Sequence, residues 1–131
     1  MKKMLPLLIV AITIFAAVQA QQKAAWKEMD DFHEVMAKTF HPAEEGKLEP
    51  IRNRSQEMQD KAAAWENSNA PEGYDKKAVK KSLKQLVKGS REINKLVKEK
   101  VTDNILKEKL SALHNVFHQI MEKCEKEDHH K

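Results

Sequence analysis

Residues 110–124 read LSALHNVFHQIMEKC, and this stretch decides the fold. Leu106, Leu110, Leu113, Phe117, Ile120 and Cys124 recur at alternating steps of four and three. That period places all six on one stripe of an α-helix, the pattern of a helix that buries a single face. His114 and His118 stand one turn apart on the flank of the stripe. At 100° per residue, His114 lies about 70° and His118 about 110° from the stripe's centre, so the first belongs at the core boundary and the second in solvent. Two imidazoles at i and i+4 are brought to one side of a helix and can chelate a single metal ion through neutral ring nitrogens.

The same period recurs three more times on the N-terminal side. Over residues 24–40, Trp26, Met29, His33, Met36 and Phe40 step by three and four and predict a helix with His33 at the centre of its apolar face. An imidazole there needs a hydrogen-bond partner or a ligand for each nitrogen, so a bonded core histidine and a metal ligand are both open readings. His41-Pro42 is expected to end this helix, because proline disfavours the helical conformation in the residue before it. Residues 41–49, HPAEEGKLE, then read as a loop in which His41, Glu44 and Glu45 form either a second cation site or an ordinary solvated turn around Gly46.

Pro50 suits the first turn of a second helix, which Ile51, Ser55, Met58, Ala62 and Trp65 carry to about residue 66. Residues 67–74, NSNAPEGY, are turn-forming. Asp75 can cap a third helix with Val79, Leu83, Leu86, Ser90, Ile93 and Val97 inward and a strongly basic outer face. Thr102, Asp103 and Asn104 offer caps for the fourth. Four amphipathic helices of similar length predict an all-α domain, an antiparallel up-down-up-down four-helix bundle over residues 21–124, with residues 125–131 a flexible charged tail.

Residues 1–20 read as a cleaved signal peptide: Lys2 and Lys3, an apolar run over residues 5–18, then Val18-Gln19-Ala20. The mature chain is thereby expected in the periplasm or secreted, without membrane insertion. Its lone Cys124 excludes an intramolecular disulfide, and in phase with the stripe it reads as a small buried hydrophobe or a soft metal ligand. Among 131 residues, 24 Lys and Arg interleave with 20 Asp and Glu, and no basic run carries the aromatics of a nucleic-acid surface, so a nucleic-acid partner is not expected. No nucleophile, base and orienting carboxylate stand at recognisable spacing and no phosphate-cradling glycine loop occurs, so an enzyme is not expected.

In the expected bundle the first and last helices are neighbours. Counted from their shared end, His33 and His118 fall at nearly the same level, with His114 one turn deeper. His33, His114 and His118 are therefore the candidate metal ligands, with Met36 and Cys124 close enough to add sulfur. Imidazole with thioether or thiol suits copper, zinc or nickel better than magnesium or calcium.

Residues 115–119, NVFHQ, together with the helix count and the export signal, resemble the soluble four-helix-bundle cytochromes of the b562 and c′ type. That resemblance implies a noncovalent haem b held between His118 and Met29, with His33 a rival ligand. Cys124 is followed by Glu125, Lys126 and Glu127 rather than the Cys-x-x-Cys-His pattern, which excludes covalent haem. The sequence thus leads to the expectation of an exported metal carrier, buffer or sensor, with a periplasmic protein as a candidate partner. The alternatives are a b-type electron carrier and a structural bundle without a cofactor.

Overall fold

The structure is a computed structural model that describes the backbone of residues 24–128 and the side chains of residues 24–124. The expected signal peptide at residues 1–20 and the terminal pair His129-His130 lie outside the described residues. The described chain forms four helices and no strand: α1 (Lys27–Glu44), α2 (Glu49–Asn67), α3 (Lys76–Lys98) and α4 (Asp103–Asp128). Each helix packs on the next, α1 also meets α4 along a thinner seam, and the backbones of the diagonal pairs do not approach each other closely. The four helices therefore form a ring around one core.

α2 and α4 bury the residues their periodicity marks. Ile51, Ser55, Met58, Ala62 and Trp65 face inward from α2, and Leu106, Leu110, Leu113, Phe117, Ile120 and Cys124 from α4. In α1 the stripe is turned relative to expectation: Met29, Phe32, Val35, Met36, Phe40 and Ala43 are buried, and His33 is exposed. Burying the large apolar side chain of Phe32 is worth about 1.5–3 kcal/mol, whereas an imidazole must give up water, so Phe32 takes the centre and His33 moves to the rim.

α1 also continues past its expected stop. Pro42 lies inside the helix, which ends at Glu44. The helical bond that proline cannot donate is lost only in the last turn, beside exposed residues, where water can serve the vacant carbonyl. Closure comes four residues after the proline, where Gly46 adopts φ 84°. There the amides of Gly46 and Lys47 donate back to the carbonyls of Ala43 and Pro42 at 3.0 and 2.9 Å. His41 and Glu44 thus belong to a helix rather than a loop.

α3 starts at Asp75, whose carboxylate accepts from the Lys77 amide at 2.9 Å. It ends with Lys100 at φ 55°, and the amides of Lys100 and Val101 donate to the carbonyls of Val97 and Leu96. This break makes α3 and α4 separate helices. The Arg52 guanidinium braces it by donating to the Val101 carbonyl and to Asp103. Gly89 lets α3 approach α4: a Cβ there would stand 2.7 Å from Leu113 Cδ1.

One end of the core is aromatic. Trp26 and Trp65 meet edge to face at 6.0 Å, Phe32 lies 5.8 Å from Trp65 and 5.7 Å from Phe117, and the Trp26 indole donates to Ser68 Oγ at 2.8 Å. Between α2 and α3 a polar layer interrupts the apolar contact. Ser55 Oγ donates to Asn94 Oδ1, and Asn94 Nδ2 donates to the side-chain carbonyls of Gln56 and Gln59, each at 2.9 Å. The sequence reading missed this layer, since Asn94 is polar and off the expected stripe.

Candidate metal centre

The thin seam between α1 and α4 opens into a cleft of about 400 Å³. From α1 it is walled by His33, Met36, Ala37, Phe40, His41 and Glu44, which the three-and-four spacing puts on one side of the helix. From α4 it is walled by His114, Phe117 and His118. Four of the chain's six histidines therefore line one cleft.

His114 is half-buried and His118 exposed, as their phases on α4 require. Their Nε2 atoms lie 3.1 Å apart. At that distance one Nε2 carries a proton and donates to the lone pair of the other. The spacing also matches a chelate: ligand bonds of about 2.05 Å meeting at about 90–110° hold two donor nitrogens roughly 2.9–3.4 Å apart. The His114 ring is held from its other side by Phe40, stacked at 3.8 Å with only 9° between the planes. The half-buried ring is thus held in one orientation.

Burial pushes the His114 pKa down, and the neighbouring His118 pushes it further; Glu44 opposes this, while His41 and His33 act in the same direction as His118. The imidazole is consequently held neutral at neutral pH, the form that ligates metal. The same four neighbours that act on His114 are the ones that line the cleft with it.

The remaining candidates divide. His33 lies at the cleft with its ring 5.1 Å from Phe117, which in turn lies 6.0 Å from His118. Met36 is fully buried but reaches the wall of the cleft. His41 pairs with Glu44 at 3.5 Å, so these two join the cleft instead of making a separate loop site. Glu45 instead faces Lys47 at 3.8 Å. Cys124 is buried on the α4 stripe and Met29 is buried on α1; neither lines the cleft. Met29 is thus not among the residues that wall the cleft with His118. Among the described residues, no three His, Cys, Asp or Glu side chains stand close enough together to hold one ion as they lie.

The periodic reading missed His41 and Glu44 as members of the same site, because it ended α1 at the proline. Their spacing was the available signal: residues 33, 37, 41 and 44 continue one helical line if Pro42 is allowed in the last turn.

No described helix is long and apolar enough to cross a membrane. No family model, curated protein or solved structure matches the chain. The likeness to bundle cytochromes therefore rests on its short motif, and the functional argument rests on the cleft.

Proposed function

We propose that this protein is an exported, antiparallel up-down-up-down four-helix bundle that binds one transition metal ion, copper, zinc or nickel, in the cleft between its first and last helices. His114 and His118 ligate through Nε2. His33, on the facing helix, is the third ligand after rotation of its side chain, and the His41-Glu44 pair and Met36 Sδ stand by to complete or tune the shell. The short connections, residues 45–48, 68–75 and 99–102, between helices that pack on each other support the antiparallel course. The basic and apolar segments of residues 1–20 support export.

The observation that carries the reading is the 3.1 Å separation of the two Nε2 atoms on a helix flank, with one ring held in place by stacking. A solvent-facing cleft with imidazole, carboxylate and thioether donors suits an ion that is taken up and passed on, hence a carrier, buffer or sensor rather than a catalyst.

The test is a calorimetric titration of the untagged protein with Zn, Cu and Ni salts. One ion per chain at micromolar affinity or better is expected, and His114→Ala combined with His118→Ala abolishes it. That variant keeps His129 and His130, so the loss assigns binding to the cleft and not to the tail. Unchanged binding by the variant, or no binding by the parent protein, sinks the proposal; a Soret band on adding haem would favour the electron-carrier reading instead.

A further inference from the structure

The outer face of α3 is strongly basic. Lys77, Lys80, Lys81, Lys84, Lys88, Arg91, Lys95 and Lys98 are all exposed. At 100° per residue they fall within an arc of about 100°, and at 1.5 Å per residue they extend along roughly 30 Å of helix. No acidic residue occurs between Lys76 and Arg91. Among the described residues, Lys80, Lys81, Lys84, Lys88 and Arg91 enter no ion pair.

The placement is electrostatically costly for the free protein. Lys76 and Lys77 occupy the first turn of α3, which carries no acid, so like charge is added to the positive end of the helix dipole. The neighbouring cations also repel one another, and beyond the Asp75 cap and the Lys95–Glu99 pair no ion pair among the described residues offsets this. An anionic counterpart would. On the α2 side, a recess of about 420 Å³ opens beside this end, walled by Glu66, Leu83 and the lysines 76, 77, 80 and 84. On the α4 side, Lys123 reaches across to Ser82 Oγ at 3.3 Å. The basic patch is therefore broad at this end, spreading from the α2 edge to the α4 edge, with the stripe running away from it.

The chemistry narrows the partner. Seven of the eight stripe cations are lysines, compact and strongly hydrated charges suited to a diffuse anionic surface, whereas discrete bidentate phosphate recognition favours arginine. No aromatic side chain lies among them, so the stacking that single-stranded nucleic acid requires is missing. Ile105, at the start of α4, is the one large apolar side chain exposed among the described residues, so contact would be by adsorption without insertion.

We propose that the α3 face, centred on Lys77, Lys80, Lys81, Lys84, Lys88 and Arg91, docks the protein onto an anionic phospholipid surface. α3 is diagonal to α1 in the ring, so a protein lying on α3 leaves the α1–α4 cleft open to solvent. The docking face is independent of the metal reading.

The experiment is co-sedimentation of the chain starting at Gln21, which keeps the whole packed core, with vesicles of phosphatidylcholine containing about a third phosphatidylglycerol. Binding at low ionic strength, lost in about 0.5 M salt and absent from pure phosphatidylcholine, is expected. Each removed lysine charge should weaken partitioning about fivefold. Lys80→Gln, Lys81→Gln, Lys84→Gln and Lys88→Gln together should therefore abolish sedimentation while circular dichroism stays unchanged. A control with the same net charge, Lys38→Gln, Lys47→Gln, Lys61→Gln and Lys107→Gln, should keep most of it. Equal loss in both variants, equal binding to neutral vesicles, or tighter binding to soluble polyphosphate than to vesicles at the same salt overturns the proposal.

Discussion

At the scale of the residue, burial without a partner marks where this core is improvable. Ser90 Oγ is fully buried and has no hydrogen-bond partner among the described residues. A hydroxyl withdrawn from water without a new bond costs about 1–3 kcal/mol. Ser90→Ala, which also favours the helix, should raise stability by about 1 kcal/mol in urea unfolding, with an unchanged denaturant slope. The Asn94 layer predicts the opposite for Asn94→Leu, since Ser55, Gln56 and Gln59 would lose their shared partner. Single residues were also where the sequence was least legible. His33 was expected inside because its spacing from Met29 and Met36 fits a stripe, but the same spacing is satisfied by Phe32, and spacing alone does not say which of two adjacent residues wins. The difference in transfer free energy between phenylalanine and imidazole does.

At the scale of the element, the four helices were legible from their apolar periods, and the caps at Pro50 and Asp75 fall where the turn chemistry puts them. The end of α1 was not, because a proline in the last turn and one in the loop after it look alike in sequence. What separates them is the closing hydrogen-bond pair at Gly46, four residues on. The end of α3 carries the same closure with a lysine in place of glycine. Lys100 at φ 55° pays a steric penalty of about 1 kcal/mol that glycine avoids. Lys100→Gly should therefore stabilise the protein by about 0.5–1 kcal/mol, read as a rise in melting temperature, while the same change at the helical neighbour Lys95 should destabilise it by a similar amount.

At the scale of the whole molecule, the cleft ties stability to pH. Folding lowers the His114 pKa below its ordinary 6.5. Between the two values the unfolded chain holds a proton that the folded chain does not, so stability falls as pH drops through that window and is fully present above it. Melting temperatures recorded from pH 7.5 to 5 should show this decline, and His114→Ala should flatten it. Asp31, Glu34 and Glu57, held below their usual range by Lys27 or Arg54, lose their contribution only at lower pH, so the two windows separate. Metal affinity should weaken over the same range as His114, because protons and the ion compete for one nitrogen.

The ring of helices closes where the chain's first and last helices meet, and that closure is its sparsest contact. These are also the contacts most distant in sequence, so their loop-closure entropy falls due last and the transition state for folding should form without them. An ion gripping both sides of the seam would then act on the return path alone. Stopped-flow measurements with and without zinc should show refolding rates that barely change and unfolding rates that drop in proportion to the binding free energy. The proposed ion would work as a latch does on a door: loading it would lengthen the lifetime of the folded state, and unloading it would restore a molecule that opens along one edge.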